Sequence, residues 1–152
     1  MGAVATNTYW RSPVAFVVDT SVFVTVDRQR GTIDDVLALA DASQLAIASI
    51  TASELLIGVA LSAESIRRQR REAFVTPVLD TVTILPLDLS VARVHAHLWA
   101  ELWTAGSMIG YYDLIIAATA VAHNLVVLTH NVREFSHVPG LAVQRAELPE
   151  AD

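Results

Sequence analysis

The chain has no cysteine and no lysine, and each absence closes off chemistry. Without cysteine there is no disulfide and no thiolate zinc site, which suits an intracellular address. Without lysine there is no Schiff base, no P-loop lysine and no receiver-domain lysine; all ten basic residues are arginine. No stretch reaches the roughly 18 uncharged apolar residues of a membrane span, although the mean hydropathy is +0.46, so no membrane association is expected. The opening MGAVATNTYWRSP lacks the plan of a signal peptide, and the apolar run after it ends on Asp19. Positive charge is also scarce, with 10 basic against 16 acidic residues and a net charge of −6. That excludes charge-driven nucleic-acid binding over the whole surface. It does not exclude a nuclease, because a bound cation inverts the charge of an acidic site. Any grip on a polyanion has to be local or supplied by a partner.

At 152 residues the chain fits one domain with a proper core. Residues 1–13 read as a flexible arm, 14–146 as the domain and 147–152 as a tail. Short β-rich runs are expected at 14–18, 45–50, 82–85, 125–128 and 141–144. Helical patterns are expected at 21–26, 32–42, 51–61, 64–79, 90–105 and 113–123. Strands alternating with helices predict an α/β domain, three layers deep, with a mainly parallel central sheet. In such sheets ligands bind beyond the carboxyl ends of the strands. Asp19, Glu54 and the segment Thr129 to Asn131 all follow strands and so share one sheet edge.

Three acids stand where an apolar segment gives way to a helix: Asp19 in VAFVVDTSVF, Glu54 in IASITASELLIGVA and Asp113 in IGYYDLIIAATA. Singly, each has an ordinary explanation. Asp19 and Asp113 suit N-caps. Thr51 to Glu54 has the form of a capping box, and so does Asn131 to Glu134. Jointly they point elsewhere, because helices can be capped without charge, and acids at successive strand ends repel one another unless a cation lies between them. Carboxylates gathered around Mg²⁺ usually serve phosphate-ester chemistry.

Four segments resemble the PIN-domain ribonucleases, and among them the VapC toxins of bacterial toxin–antitoxin pairs: VVDTSVFV, TASELLIGV, GSMIGYYDLIIAATA and LVVLTHNVREFSHVPGLAV. Their order and spacing fit over roughly residues 14 to 145. The resemblance implies a PIN-like α/β/α fold and a Mg²⁺- or Mn²⁺-dependent endoribonuclease that hydrolyses RNA phosphodiesters. It assigns Asp19, Glu54 and Asp113 to the metal site and makes Thr129 a hydroxyl helper. The fourth acid of many relatives falls near Asn131, a neutral amide here, and Glu134 is the acid available to replace it. The resemblance also implies an antitoxin partner covering the acidic pocket, a homodimer and a cytoplasmic location.

Other features have competing explanations. Arg67, Arg68, Arg70 and Arg71 form a basic run; Arg67, Arg68 and Arg71 are candidate RNA contacts, against a solvated helix face partly neutralised by Glu64 and Glu72. His95 and His97 lie two apart, which on a helix is wrong for chelation. His123, His130 and His137 receive no role. Trp99 and Trp103 suit core packing, with base stacking or a homodimer interface as alternatives. An aspartyl phosphatase of the haloacid dehalogenase type is disfavoured by Ser21, where a second acid is needed, and by the missing lysine. The alternatives that remain are a non-catalytic PIN-like module binding RNA or protein and an unrelated α/β binding module.

Overall fold

A computed structural model describes residues 14–150. The expected arm at 1–13 and the last two residues of the tail lie outside the described residues. Five strands form one sheet: β1 (Phe16–Val18), β2 (Leu45–Ala48), β3 (Thr83–Leu85), β4 (Val126–Thr129) and β5 (Ala142–Arg145), in the spatial order β3-β2-β1-β4-β5. Every neighbouring pair is parallel. The predicted parallel α/β sheet is therefore the observed one.

Side chains alternate across the sheet with the period of two that a strand imposes. Val17 of β1 and Val127 of β4 enter one core together with Val91, Leu98 and Leu102 of α5 (Leu89–Ala105) and the buried face of α6 (Tyr111–His123). Val18 and Leu128 enter the other core. There they meet Val22, Phe23 and Val26 of α1 (Thr20–Arg28), Val36 of α2 (Ile33–Leu37), Leu55 of α3 (Ser49–Ala60) and Phe74, Val75 and Val78 of α4 (Ser65–Thr81). Both faces are covered, which is why the central strands read as unbroken apolar runs rather than alternating ones. A short α7 (Val132–Phe135) follows β4 and buries Phe135 completely.

Several element boundaries differ from the sequence expectation. The helix expected over 32–42 stops at Leu37, and a 3-10 turn at Ala42–Gln44 leads into β2. Its start is as expected: Thr32 and Asp35 form a capping box. β2 ends at Ala48, and α3 begins at Ser49 rather than at Thr51. α6 begins at Tyr111, two residues before Asp113.

Trp99 and Trp103 do not pack in the core. They are 37% and 71% exposed. The buried stripe of α5 runs through Val91, Leu98 and Leu102, so positions 99 and 103 lie one residue round the helix, toward solvent. Trp99 meets Tyr111 edge-on, and His95 approaches both rings. His97 instead pairs with Glu101 at 3.0 Å, so the two α5 histidines do point apart.

Candidate active site

The strand order reverses between β1 and β4: from β1 the sheet grows outward through β2 and β3, and the chain then crosses back to lay β4 on the other side of β1. A crevice opens at such a switch point, beyond the carboxyl ends of the strands. Asp19 follows β1 there and Thr129 ends β4. The ladder runs one residue past β1, with the Asp19 N–H donating to the Leu128 carbonyl at 2.8 Å. This fixes the Asp19 backbone before its side chain is considered.

The Asp19 side chain is 1% exposed and does not cap α1. Its Oδ2 accepts from Ser21 Oγ at 2.6 Å and from Thr129 Oγ1 at 2.8 Å. Thr129 is itself fully buried, and its hydroxyl accepts from the Asn131 N–H at 2.8 Å. Both hydroxyls aim at one oxygen, which leaves Oδ1 for another partner. The capping explanation of Asp19 therefore fails, and a hydroxyl-clamped carboxylate replaces it.

Glu54 does not complete a capping box either. Thr51 lies inside α3, fully buried, with its Oγ1 within hydrogen-bond distance of Thr20 Oγ1 at 3.0 Å. Thr20 also meets Glu54 Oε1 at 2.9 Å. Burial pushes the Glu54 carboxyl above its usual range; the Thr20 hydroxyl pulls it back, and the charge of Asp19 adds to the rise.

Asp113 sits in the first turn of α6, where Gly110 holds the N-cap position. It faces Glu134 of α7. Glu134 makes no capping box with Asn131, whose side chain caps nothing. Its Oε1 accepts instead from the Gly110 N–H at 2.9 Å. A Cβ at Gly110 would stand 3.0 Å from Asp113 Oδ2 and 3.5 Å from Glu134 Oε1. The glycine thus gives the two carboxyl groups room over the helix start. Burial, then the charge of Glu134, then Asp19, a hydrogen bond with Glu134 and finally Glu54 push the Asp113 carboxyl up to about 7.

Four acids from four separated segments therefore act on one another at one sheet edge. Asn131 is exposed beside them. Among the described residues, no three His, Asp or Glu side chains are drawn in tightly enough to hold an ion as they stand. The chemistry of the donors nevertheless fits a hard divalent cation, which takes oxygen ligands and charge of this sign. Burial and the neighbouring acids favour the protonated form of Asp113, which lessens the repulsion among them.

The candidate RNA contacts on α4 have other partners. Arg68 donates twice to the Ser62 carbonyl, at 3.2 and 3.0 Å. Arg71 donates to the Gly58 carbonyl at 2.9 Å and lies 3.7 Å from Asp27. Both tie α4 to the end of α3, while Arg67 is exposed. Sequence reasoning missed Thr20 and Ser21 as supports of the acids. The signal was the Asp-Thr-Ser string itself, whose two hydroxyls reach Glu54 and Asp19.

This architecture is that of a known class. A PIN-domain family model matches residues 16–141, and the chain belongs to that family. Within it the relatives are VapC ribonucleases. Ribonuclease VapC of Rickettsia bellii is 32% identical over 137 residues, covering 90% of this chain and all of the relative. The tRNA(fMet)-specific endonuclease VapC of Salmonella typhimurium is 34% identical over 102 residues, covering 67% of this chain and 75% of the relative. Among solved structures, the DNA-bound VapBC of Salmonella typhimurium superposes with a TM-score of 0.79 at 30% identity, over 88% of this chain and 99% of the other. Among the described residues, no helix is long and apolar enough to cross a membrane.

Proposed function

We propose that this chain is a divalent-cation-dependent endoribonuclease toxin, held in check by a cognate antitoxin. The observation that carries the reading is the mutual influence of Asp113, Glu134, Asp19 and Glu54 at the switch point of a PIN-family sheet. Relatives that are named ribonucleases, and a solved neighbour that is a toxin–antitoxin complex, support the substrate class and the partner.

Asp19, Glu54 and Asp113 would hold Mg²⁺ or Mn²⁺, with Glu134 as the fourth acid in place of the neutral Asn131. Bound there, the cation would supply Lewis-acid activation of water and neutralisation of charge on the phosphate. The chain's own residues supply position. Ser21 and Thr129 hold Asp19 in one rotamer, Thr20 holds Glu54, and the Gly110 N–H holds Glu134. Such preset geometry removes the cost of ordering these groups during the reaction.

The exposed Trp99, Trp103, Tyr111 and Tyr112, with Leu56, Ile57 and Leu61 of α3 and the turn after it, give apolar surface for the homodimer that belongs to this reading. Cleavage of RNA by the purified chain, present with Mg²⁺ and abolished by a chelator, is the expected result. Equal cleavage in both conditions contradicts the proposal. A chain that binds RNA but never cuts it, with or without cation, would be the non-catalytic module instead.

A further inference from the structure

Beside the acids lies a cleft of about 450 Å³ that no local pattern in the chain foretells. Glu134 and Asn131 belong to its wall, so it opens directly from the carboxylate group. The same wall carries Arg133, Arg145, His130 and His137. These come from α7, the end of β5, the turn after β4 and the loop after α7, so the fold rather than a local run assembles them. Met108 and Ile109 add an apolar patch.

The charges here are not consumed by the protein. Among the described residues, neither Arg133 nor Arg145 is paired with a carboxylate. The Arg145 guanidinium makes one long contact, 3.5 Å to the His130 carbonyl, and both arginines are exposed. His130 Nε2 is buried with no hydrogen-bond partner among the described residues. Arg68 and Arg71 differ: their guanidiniums are occupied in joining α3 to α4. In a chain of net charge −6, a polyanion needs local cations to approach a cluster of acids.

We propose that this cleft is the groove along which single-stranded RNA leaves the carboxylates, with Arg133 and Arg145 as anchors for the phosphates next to the scissile one. The inference rests on the ribonuclease reading above and names where its substrate lies. Arginine suits the task because its planar fork meets two phosphate oxygens at once. The exposed His137 adds a ring donor, and Met108 with Ile109 offers an apolar surface to a sugar or base. Arg133 and Arg145 are positioning residues, which hold substrate without touching the bond that breaks.

The test compares Arg133→Ala/Arg145→Ala with Arg93→Ala, an exposed arginine on α5 away from the cleft. Cleavage of a short single-stranded RNA is measured in the otherwise unaltered full chain, and RNA binding in the Asp19→Asn background. Expected is a KM raised about tenfold with kcat within about twofold, as loss of uniform binding requires. The slope of log affinity against log salt should fall by about 0.7 for each phosphate no longer neutralised. Arg93→Ala should move neither quantity. If the unaltered chain cleaves RNA and the double variant keeps its KM and salt slope, the groove is elsewhere and the proposal is overturned. Weaker binding of an acidic protein partner, with an unchanged RNA slope, would overturn it too and give the cleft to that partner. If the unaltered chain never cleaves but the slope still falls in the double variant, the catalytic reading fails and the RNA groove stands. If the unaltered chain neither cleaves nor binds RNA, both fall.

Discussion

Asp19 and Asp113 face the same crevice but are held in opposite ways. Asp19 is buried under two hydroxyl donors that converge on a single oxygen, at the end of the central strand. Asp113 is half-buried on a helix start and is surrounded by other acids, which push its carboxyl up to about 7. One is preset by the fold, with Oδ2 held and Oδ1 left open for a cation. The other is frustrated by like charges that a bound cation would offset. The difference separates a ligand whose position the fold presets from one whose charge only a bound cation would offset.

The largest expected effect comes from neutralising either member of the pair. Asp19→Asn and Asp113→Asn should each lower RNA cleavage by about 100- to 1000-fold, the scale of losing one group that stabilises transition-state charge. Both should keep the circular dichroism of the parent. Cleavage at the parental rate by both variants would mean that the acids do not carry the reaction.

Removing a support should cost less activity but more stability. Thr129→Val takes away the hydroxyl that donates to Asp19 and accepts from the Asn131 N–H. Both partners then sit in or beside the core short of a bond, a loss of about 1–3 kcal/mol in urea unfolding. Cleavage should fall by about tenfold, because Ser21 still holds Asp19. Asp113 has its neighbour in Glu134 instead, so no single hydroxyl deletion should have the same effect on it.

The smallest effect is on pH. Folded Asp113 keeps its proton up to about 7, whereas an ordinary carboxyl of its type releases it at 3.8. Between those values the folded state binds more protons than the unfolded state, so this group's contribution to stability falls as pH rises. The cation-free chain should therefore melt lower at pH 8 than at pH 5. Asp113→Asn should melt above the parent at pH 8, with the gap closing as pH falls toward 4. The gap should be modest, since the group is partly open to solvent. An identical pH dependence of melting in parent and variant would mean that Asp113 is not the frustrated member of the pair.

Much of the fold was legible in the sequence because short apolar runs bounded by helical patterns leave few alternatives. Strand positions came within a few residues, and the shared edge for Asp19, Glu54 and Thr129 followed from parallel strands. The helix expected over 32–42 was too long, because local spacing carries no record of where the chain turns back toward β2. The tryptophans misled for a related reason: an aromatic pair four apart fixes a helix face but not which face the sheet covers. At the site, the residue types were readable and their partners were not. The capping boxes around Glu54 and Glu134 were sound local patterns that long-range contacts overrode, through Thr20 in one case and Gly110 in the other. The cleft lined by Arg133 and Arg145 could not be read at all, since β5 and α7 meet there only in three dimensions.

The central claim is that side chains at 19, 54, 113 and 134 form a cation site. Mn²⁺ binding to the full chain, followed by calorimetry or by electron paramagnetic resonance, tests it without reference to cleavage. The predicted result is saturable binding to the parent, weakened at least about tenfold by Asp19→Asn and by Asp113→Asn, on the scale of about 1.4 kcal/mol per tenfold. Binding of equal strength in the parent and both variants would contradict it.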